Sequence, residues 1–142
     1  MTSGYFNYTS KSGIGASVAG RLGTVNTGAE AGIHFLKGGP QFMAFALVSV
    51  DLSSYFAATW ISLLRYTPPI NENWKVYTSL ELYSNIGDIQ GDIRHRASVQ
   101  RIRGGVERSG YAFGLGLNLT GIGPDYDPTL TNPGIFVRKS FQ

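Results

Sequence analysis

The feature that most constrains this chain is a strand-period alternation whose second face carries no charge. From Tyr111 to Thr120 one parity reads Tyr111, Phe113, Leu115, Leu117 and Leu119, and the other reads Ala112, Gly114, Gly116, Asn118 and Thr120. A side-chain period of two defines a β-strand with unlike faces. A half-buried strand of a water-soluble domain normally sets Lys or Glu on its outer face, because such domains keep their water-facing side charged. Here the polar face is small and neutral. Such residues make a poor solvent surface but line a narrow, crowded interior well, which predicts that the large residues point outward.

Composition extends this argument to the whole chain. Only 15% of the 142 residues are charged, against roughly 25% in ordinary soluble domains. The hydrophobic share, 42%, does not rise in exchange, and 19 glycines fill part of the difference. The net charge of +3 is too small to imply a nucleic-acid partner by itself. The absence of Cys excludes disulfides, thiolate metal sites and a Cys nucleophile. The uncharged stretches 38–50 and 52–64 are split by Asp51, and each falls short of the roughly 18 residues of a spanning helix.

The length suits one domain, 1–142, and about eight strands of some ten residues each. Strands are predicted near 13–23, 28–37, 41–51, 54–66, 73–85, 93–106, 110–121 and 133–141, with 3–11 extending or preceding the first. Breakers fall between them, including Lys37-Gly-Gly-Pro40, Pro68-Pro69 and Arg108-Ser-Gly110. In the 74–84 strand, Trp74, Val76, Thr78, Leu80 and Leu82 alternate with Lys75, Tyr77, Ser79, Glu81 and Tyr83. Segments 41–51 and 54–66 are apolar on both faces in places, which leaves their facing open. The connections 85–92 and 121–132 are predicted to be long loops and 107–110 a short turn. In the Arg-rich strand the apolar parity changes between Val99 and Ile102, so a β-bulge is predicted near Gln100–Arg101.

The last segment, Asn132-Pro-Gly-Ile-Phe-Val-Arg-Lys-Ser-Phe141-Gln142, resembles the closing strand of bacterial outer-membrane β-barrels. Ile135, Val137 and Phe141 share a parity, and Gly134 sits where that family often has Gly. Lys139, at a position usually apolar, and Gln142, after the aromatic, depart from the pattern. The resemblance implies an antiparallel, up-and-down transmembrane β-barrel in the bacterial outer membrane. It further implies membrane lipid and the barrel-assembly machinery as partners, with Gly134, Val137 and Phe141 as the assembly signal. An exported protein needs a leader, and Met1–Tyr5 has neither a basic nor an apolar region, so this reading takes the leader as already removed. The function expected is structural, adhesive or concerned with a small solute of unspecified kind. A lipocalin-like soluble barrel around an apolar ligand has the same period, but the early Gly-x-Trp of that family is missing, since both Trp residues, Trp60 and Trp74, lie in mid-chain. A membrane-embedded lipid-modifying enzyme is the third reading.

In the barrel reading Trp74, Leu80, Tyr111, Phe113, Leu115 and Leu117 face lipid. Glu30, His34, Lys75, Glu81, Arg96 and Arg138 face inward and must pair, because isolated buried charges cost several kcal/mol. Lys75 and Glu81 are each expected to have an interior partner. No catalytic, metal or cofactor site is predicted. His34 or His95 with a Ser and Glu81 has the residue types of a nucleophile–base–orienter set, but no Gly-x-Ser-x-Gly elbow accompanies them. The run Arg94-His-Arg96 with Arg101, Arg103 and Arg108 lacks the interleaved aromatics of a nucleic-acid surface. Asp88, Asp92, Asp125 and Asp127 lack full cation-loop spacing.

Overall fold

Each strand pairs antiparallel with its neighbours in sequence, so the chain folds as a single meander. The computed structural model describes residues 2–22, 28–52, 56–89, 92–123 and 128–140. They form β1 (Thr2–Thr9), β2 (Ile14–Leu22), β3 (Gly28–Gly38), β4 (Phe42–Asp51), β5 (Ala57–Tyr66), β6 (Lys75–Ile89), β7 (Asp92–Arg108), β8 (Tyr111–Ile122) and β9 (Pro128–Lys139). The spatial order is β1 through β9, in one all-β sheet whose two edge strands are not joined. Among the described residues there is no helix. The predicted up-and-down antiparallel order is observed. The strand count is nine rather than eight, because 2–9 turns back at Ser10–Gly13 to make its own strand.

Two other boundaries differ from expectation. The 85–92 region is no long loop: β6 and β7 run on to Ile89 and from Asp92, so the hairpin projects beyond its neighbours. The last strand begins at Pro128, five residues before Pro133. The short turn at Ser109–Gly110 is as expected. Both residues have positive φ, 50° and 79°, as a two-residue hairpin loop of the right twist demands.

The register fixes which residues share a face. Thr9, Gly15, His34, Leu47, Ile61, Tyr83, Val99, Thr120 and Leu130 form one cross-strand row. By alternation this face also holds Glu30, Ser49, Arg65, Tyr77, Ser79, Glu81, Arg101, Arg103, Ala112 and Arg138. It is the polar face and also the more enclosed one. His34, Ser49, Tyr77, Ser79 and Ala112 are buried on it. The opposite face carries Phe6, Ile33, Val48, Trp60, Leu64, Ile102, Phe113, Leu115, Ile135 and Val137, all exposed. Ser98 and its cross-strand partner Gly121 are buried exceptions on that side.

The phase change in β7 is real but misplaced in the sequence reading. Asn85 pairs Ala97 and Ile86 pairs His95, so the extra residue is Arg96, and pairing from Ala97 to Glu107 runs without a break. The bulge at Gln100–Arg101 is therefore overturned. Moving it to Arg96 sets Ile93, Ile102 and Val106 on one apolar face, as the sequence reading wanted. It also turns Ala97 and Val99 to the polar face. Arg96 itself lies over Gly87 and donates through Nη2 to the Asp88 carbonyl at 2.7 Å.

Glycine permits the tightest approach in the sheet. Tyr77, Gly105, Gly114 and Phe136 form one row on the polar face. The two aromatic rings meet over the two glycines, with centroids 5.4 Å apart. A Cβ on Gly114 would strike the Gly104 carbonyl oxygen and come within 2.6 Å of Gly105 Cα. No flexible side chain is there to yield. Gly114→Val is expected to destabilise the fold by at least about 1–3 kcal/mol, the range for overpacking. Gly134→Ala, which meets nothing within 4 Å, is expected to change stability little. Urea unfolding of both variants followed by tryptophan fluorescence checks the contrast.

Candidate functional site

The polar face is where chemistry-bearing side chains gather, and it divides into separate groups. Near β1 to β4, His34 bridges three strands. Its Nε2 lies 2.7 Å from Thr9 Oγ1 and its Nδ1 lies 2.8 Å from Ser17 Oγ. The ring sits over Gly15, where a Cβ would collide with it. Glu30 accepts a long bond from Ser49 Oγ at 3.5 Å.

The second group spans β5 to β9. Arg103 Nη1 donates to Glu81 Oε1 at 2.9 Å, and Arg101 Nη1 donates to Oε2 of the same carboxylate at 3.2 Å. Arg138 reaches from β9 to Tyr77, with Nη1 3.2 Å from the phenol oxygen. Arg65, Ser79 and Arg103 form one direct row. Ser79 is 5% exposed beside the Tyr77 phenol, and the buried Arg65 Nε has no hydrogen-bond partner among the described residues. Of the four guanidinium groups here, Arg101 and Arg103 share the Glu81 carboxylate.

Beside this group lies a cavity of about 450 Å³ whose lining includes Phe45, Ile61, Leu63, Tyr83 and Val99, with Glu81 and Arg101 at its border. That volume and the combination of an apolar lining with a few polar groups are usual for small-molecule sites. The sequence reading missed these apolar residues and set Val99 outward. Their signal was present: strands β4 and β5 are apolar on both faces because each serves the outer surface with one face and this cavity with the other.

All six predicted interior residues lie on the polar face, but they form no single network. Glu30 and His34 belong to one group, Glu81 and Arg138 to the other, and Arg96 stands apart near the β6–β7 tip. Lys75 departs further from expectation. It sits at the rim opposite Glu107 and is exposed, since β6 begins there. The nucleophile–base–orienter set is not assembled. Glu81 is held by two arginines, and His34 lies on β3, three strands away. His95 faces the other way, 3.2 Å from Ser84 Oγ on the apolar side. The basic run is split likewise: Arg101 and Arg103 are on the polar face, Arg108 on the apolar one, and Arg94 pairs with Asp92 at 2.8 Å. Among the described residues no acidic or His cluster could hold a metal ion, and Asp125 and Asp127 lie outside them.

The apolar face carries all six residues predicted to face lipid, Trp74, Leu80, Tyr111, Phe113, Leu115 and Leu117. Tyr111, Phe113 and Leu115 are exposed, whereas Leu80, Leu117 and Leu119 are half-buried between their cross-strand neighbours. Trp74 is half-buried at the rim, in an edge contact with Phe113 and under the Arg108 guanidinium at 5.2 Å. Lys139 lies 4.9 Å over the Tyr111 ring, which accounts for a cation at a position usually apolar. Val137 points outward, Gly134 pairs Gly116, and Phe141 lies outside the described residues. Comparison with protein-family models, with characterised proteins and with solved structures finds no match.

Glu81 separates two positive charges that would otherwise face each other on a half-enclosed surface. Glu81→Gln is expected to lower stability by about 1–2 kcal/mol, discounted for partial exposure. Asp92→Asn breaks only the exposed pair with Arg94 and is expected to cost less than about 1 kcal/mol. Parallel denaturant titrations compare the two.

Proposed function

We propose that this chain is an integral β-barrel protein of the bacterial outer-membrane kind, whose interior serves a small solute. The observation that carries the reading is the inverted polarity of the sheet: its charged face is the enclosed one and its apolar face the exposed one. In water each large apolar side chain left exposed forgoes about 1.5–3 kcal/mol. In hydrocarbon the same surface is the favoured one, and polar groups belong inside.

Three further observations support it. Most strands have eight to twelve residues, near the roughly 9–11 that cross a bilayer when tilted. Outward aromatics gather at the end that carries the turns 10–13, 39–41 and 109–110: Tyr8, Phe42, Tyr66, Trp74 and Tyr111. Lys37, Arg108 and Lys139 share that end, so rings and cations stand together as they do at a membrane–water interface. The closing-strand pattern at Gly134 and Val137 suits recognition by the barrel-assembly machinery. The reading requires the open edges of β1 and β9 to be closed, because unpaired backbone groups in hydrocarbon cost several kcal/mol each.

A lipocalin-like soluble barrel would bury Phe113, Leu115, Ile135 and Val137 around its ligand, and they are exposed instead. Leu115→Arg separates a lipid-facing from a water-facing apolar face. In a bilayer it is expected to cost about 2–4 kcal/mol. On a water-facing strand the change would stay within about 0.5 kcal/mol. Folding into phospholipid vesicles, followed by urea titration, measures the difference. A chain that folds as a monomer in buffer without detergent, and tolerates Leu115→Arg, would overturn the membrane reading.

A further inference from the structure

The cross-strand row Arg65–Ser79–Arg103 has the donor set of an anion site. The buried Arg65 Nε has no hydrogen-bond partner among the described residues, and the Ser79 hydroxyl, in direct cross-strand register with it and 5% exposed, has the Tyr77 phenol as its neighbour. Burying a hydrogen-bonding group without a partner is costly, so this donor with a hydroxyl at its side suits an anionic acceptor. Charge points the same way. Glu81 is the one carboxylate shared by Arg101 and Arg103, and Arg65 and Arg138 add two further positive charges on the same face. The adjoining row on the same face is Leu63–Glu81–Arg101, and with Phe45, Ile61, Tyr83 and Val99 beyond it these residues line about 450 Å³ that is mostly apolar.

We propose that this face binds an amphipathic monocarboxylate of medium chain length. Its carboxylate would accept hydrogen bonds from Arg65, Ser79 and Arg103, and its alkyl chain would lie in the cavity toward Val99. A small inorganic anion would leave the apolar lining unfilled. An uncharged chain would leave the Arg65 charge unmatched, and a cation would meet the arginines. The proposal rests on the small-solute reading above for its setting, and names the solute's chemical class.

The test uses octanoate as probe, with 1-octanol, octylammonium and inorganic phosphate beside it. Binding is measured calorimetrically to the full chain in lipid nanodiscs, with empty nanodiscs subtracted to remove partitioning. Octanoate is expected to bind saturably and the other three not to. Arg65→Met is expected to weaken octanoate by about ten- to hundredfold, the range of charge-assisted hydrogen bonds, and Ser79→Ala to weaken it less. Circular dichroism confirms that each variant retains its sheet. Glu81→Gln guards against variants that lose binding by misfolding, because removal of the internal carboxylate is expected to tighten octanoate. Octanol binding as well as octanoate, phosphate competing equally with it, an unchanged Arg65→Met, or no tightening in Glu81→Gln would each overturn the proposal. Failure of octanoate to bind a chain that inserts into bilayers rejects the site but keeps the membrane reading. Binding by a chain that is monomeric in plain buffer keeps the site and rejects the membrane.

Discussion

A sheet with no second layer has no place to hide an apolar core. In a sandwich or a helix-covered sheet, the inner faces meet and exclude water from between them. Here nine strands form one layer, and each of its two faces must be matched to whatever lies against it. The side-chain period of two then sorts the sequence, since a shift of one residue would exchange the faces along a whole strand. The polar side is compacted by hydrogen bonds and ion pairs that cross several strands, such as Arg138 to Tyr77 and Arg103 to Glu81. The apolar side has no comparable partner within the chain.

Inward crowding and outward apolarity are linked through glycine. Large inward groups need room: His34 takes it above Gly15, Arg96 above Gly87, and the Tyr77–Phe136 contact above Gly105 and Gly114. The small neutral face of β8, which at the level of sequence is merely a poor solvent surface, is thus the floor beneath side chains sent from β6 and β9. Its lack of charge follows from lack of space. The same crowding explains why charge on this side concentrates on β5 to β7, where the lining opens into the cavity.

Much of the fold is legible in the sequence where one face differs strongly from the other. β6 and β8 have that contrast, and their facing follows from parity alone. β4 and β5 lack it, because Leu47, Ile61 and Leu63 are as apolar as Val48, Trp60 and Leu64 opposite them. Period cannot orient a strand that is apolar twice over, and the cavity was invisible for that reason. The bulge was inferable from the parity change but not locatable. Between Arg94 and Arg101 both faces hold polar residues, so a phase shift at Arg96 or at Gln100 fits the apolar pattern nearly as well. Pairing of the arginines was also beyond reach: parity sets Arg101 and Arg103 beside Glu81, but that both would share it depends on register across strands. Lys75 shows the converse limit, since parity assigns a face but not the depth at which a strand begins.

The odd strand count governs how the sheet can end. In a meander of nine strands, β1 and β9 run in the same direction, so a seam between them would be parallel, with slanted bonds slightly weaker than those of the eight antiparallel ladders. The edges differ in how they meet this. β9 contains Pro128 and Pro133, and a residue without an N–H is a device found on edges rather than in central strands. β1 instead presents Phe6 and Tyr8 outward and Tyr5 on the polar face, all highly exposed. An apolar, unprotected edge such as β1 is poorly defended against pairing with other chains. In the proposed membrane setting the stakes would be higher, because hydrocarbon offers no water to unpaired backbone groups. The seam is therefore where a closed form of this sheet would be weakest. His34, bonded to Thr9 on β1 and Ser17 on β2, holds that edge in place from the inside, ahead of any closure.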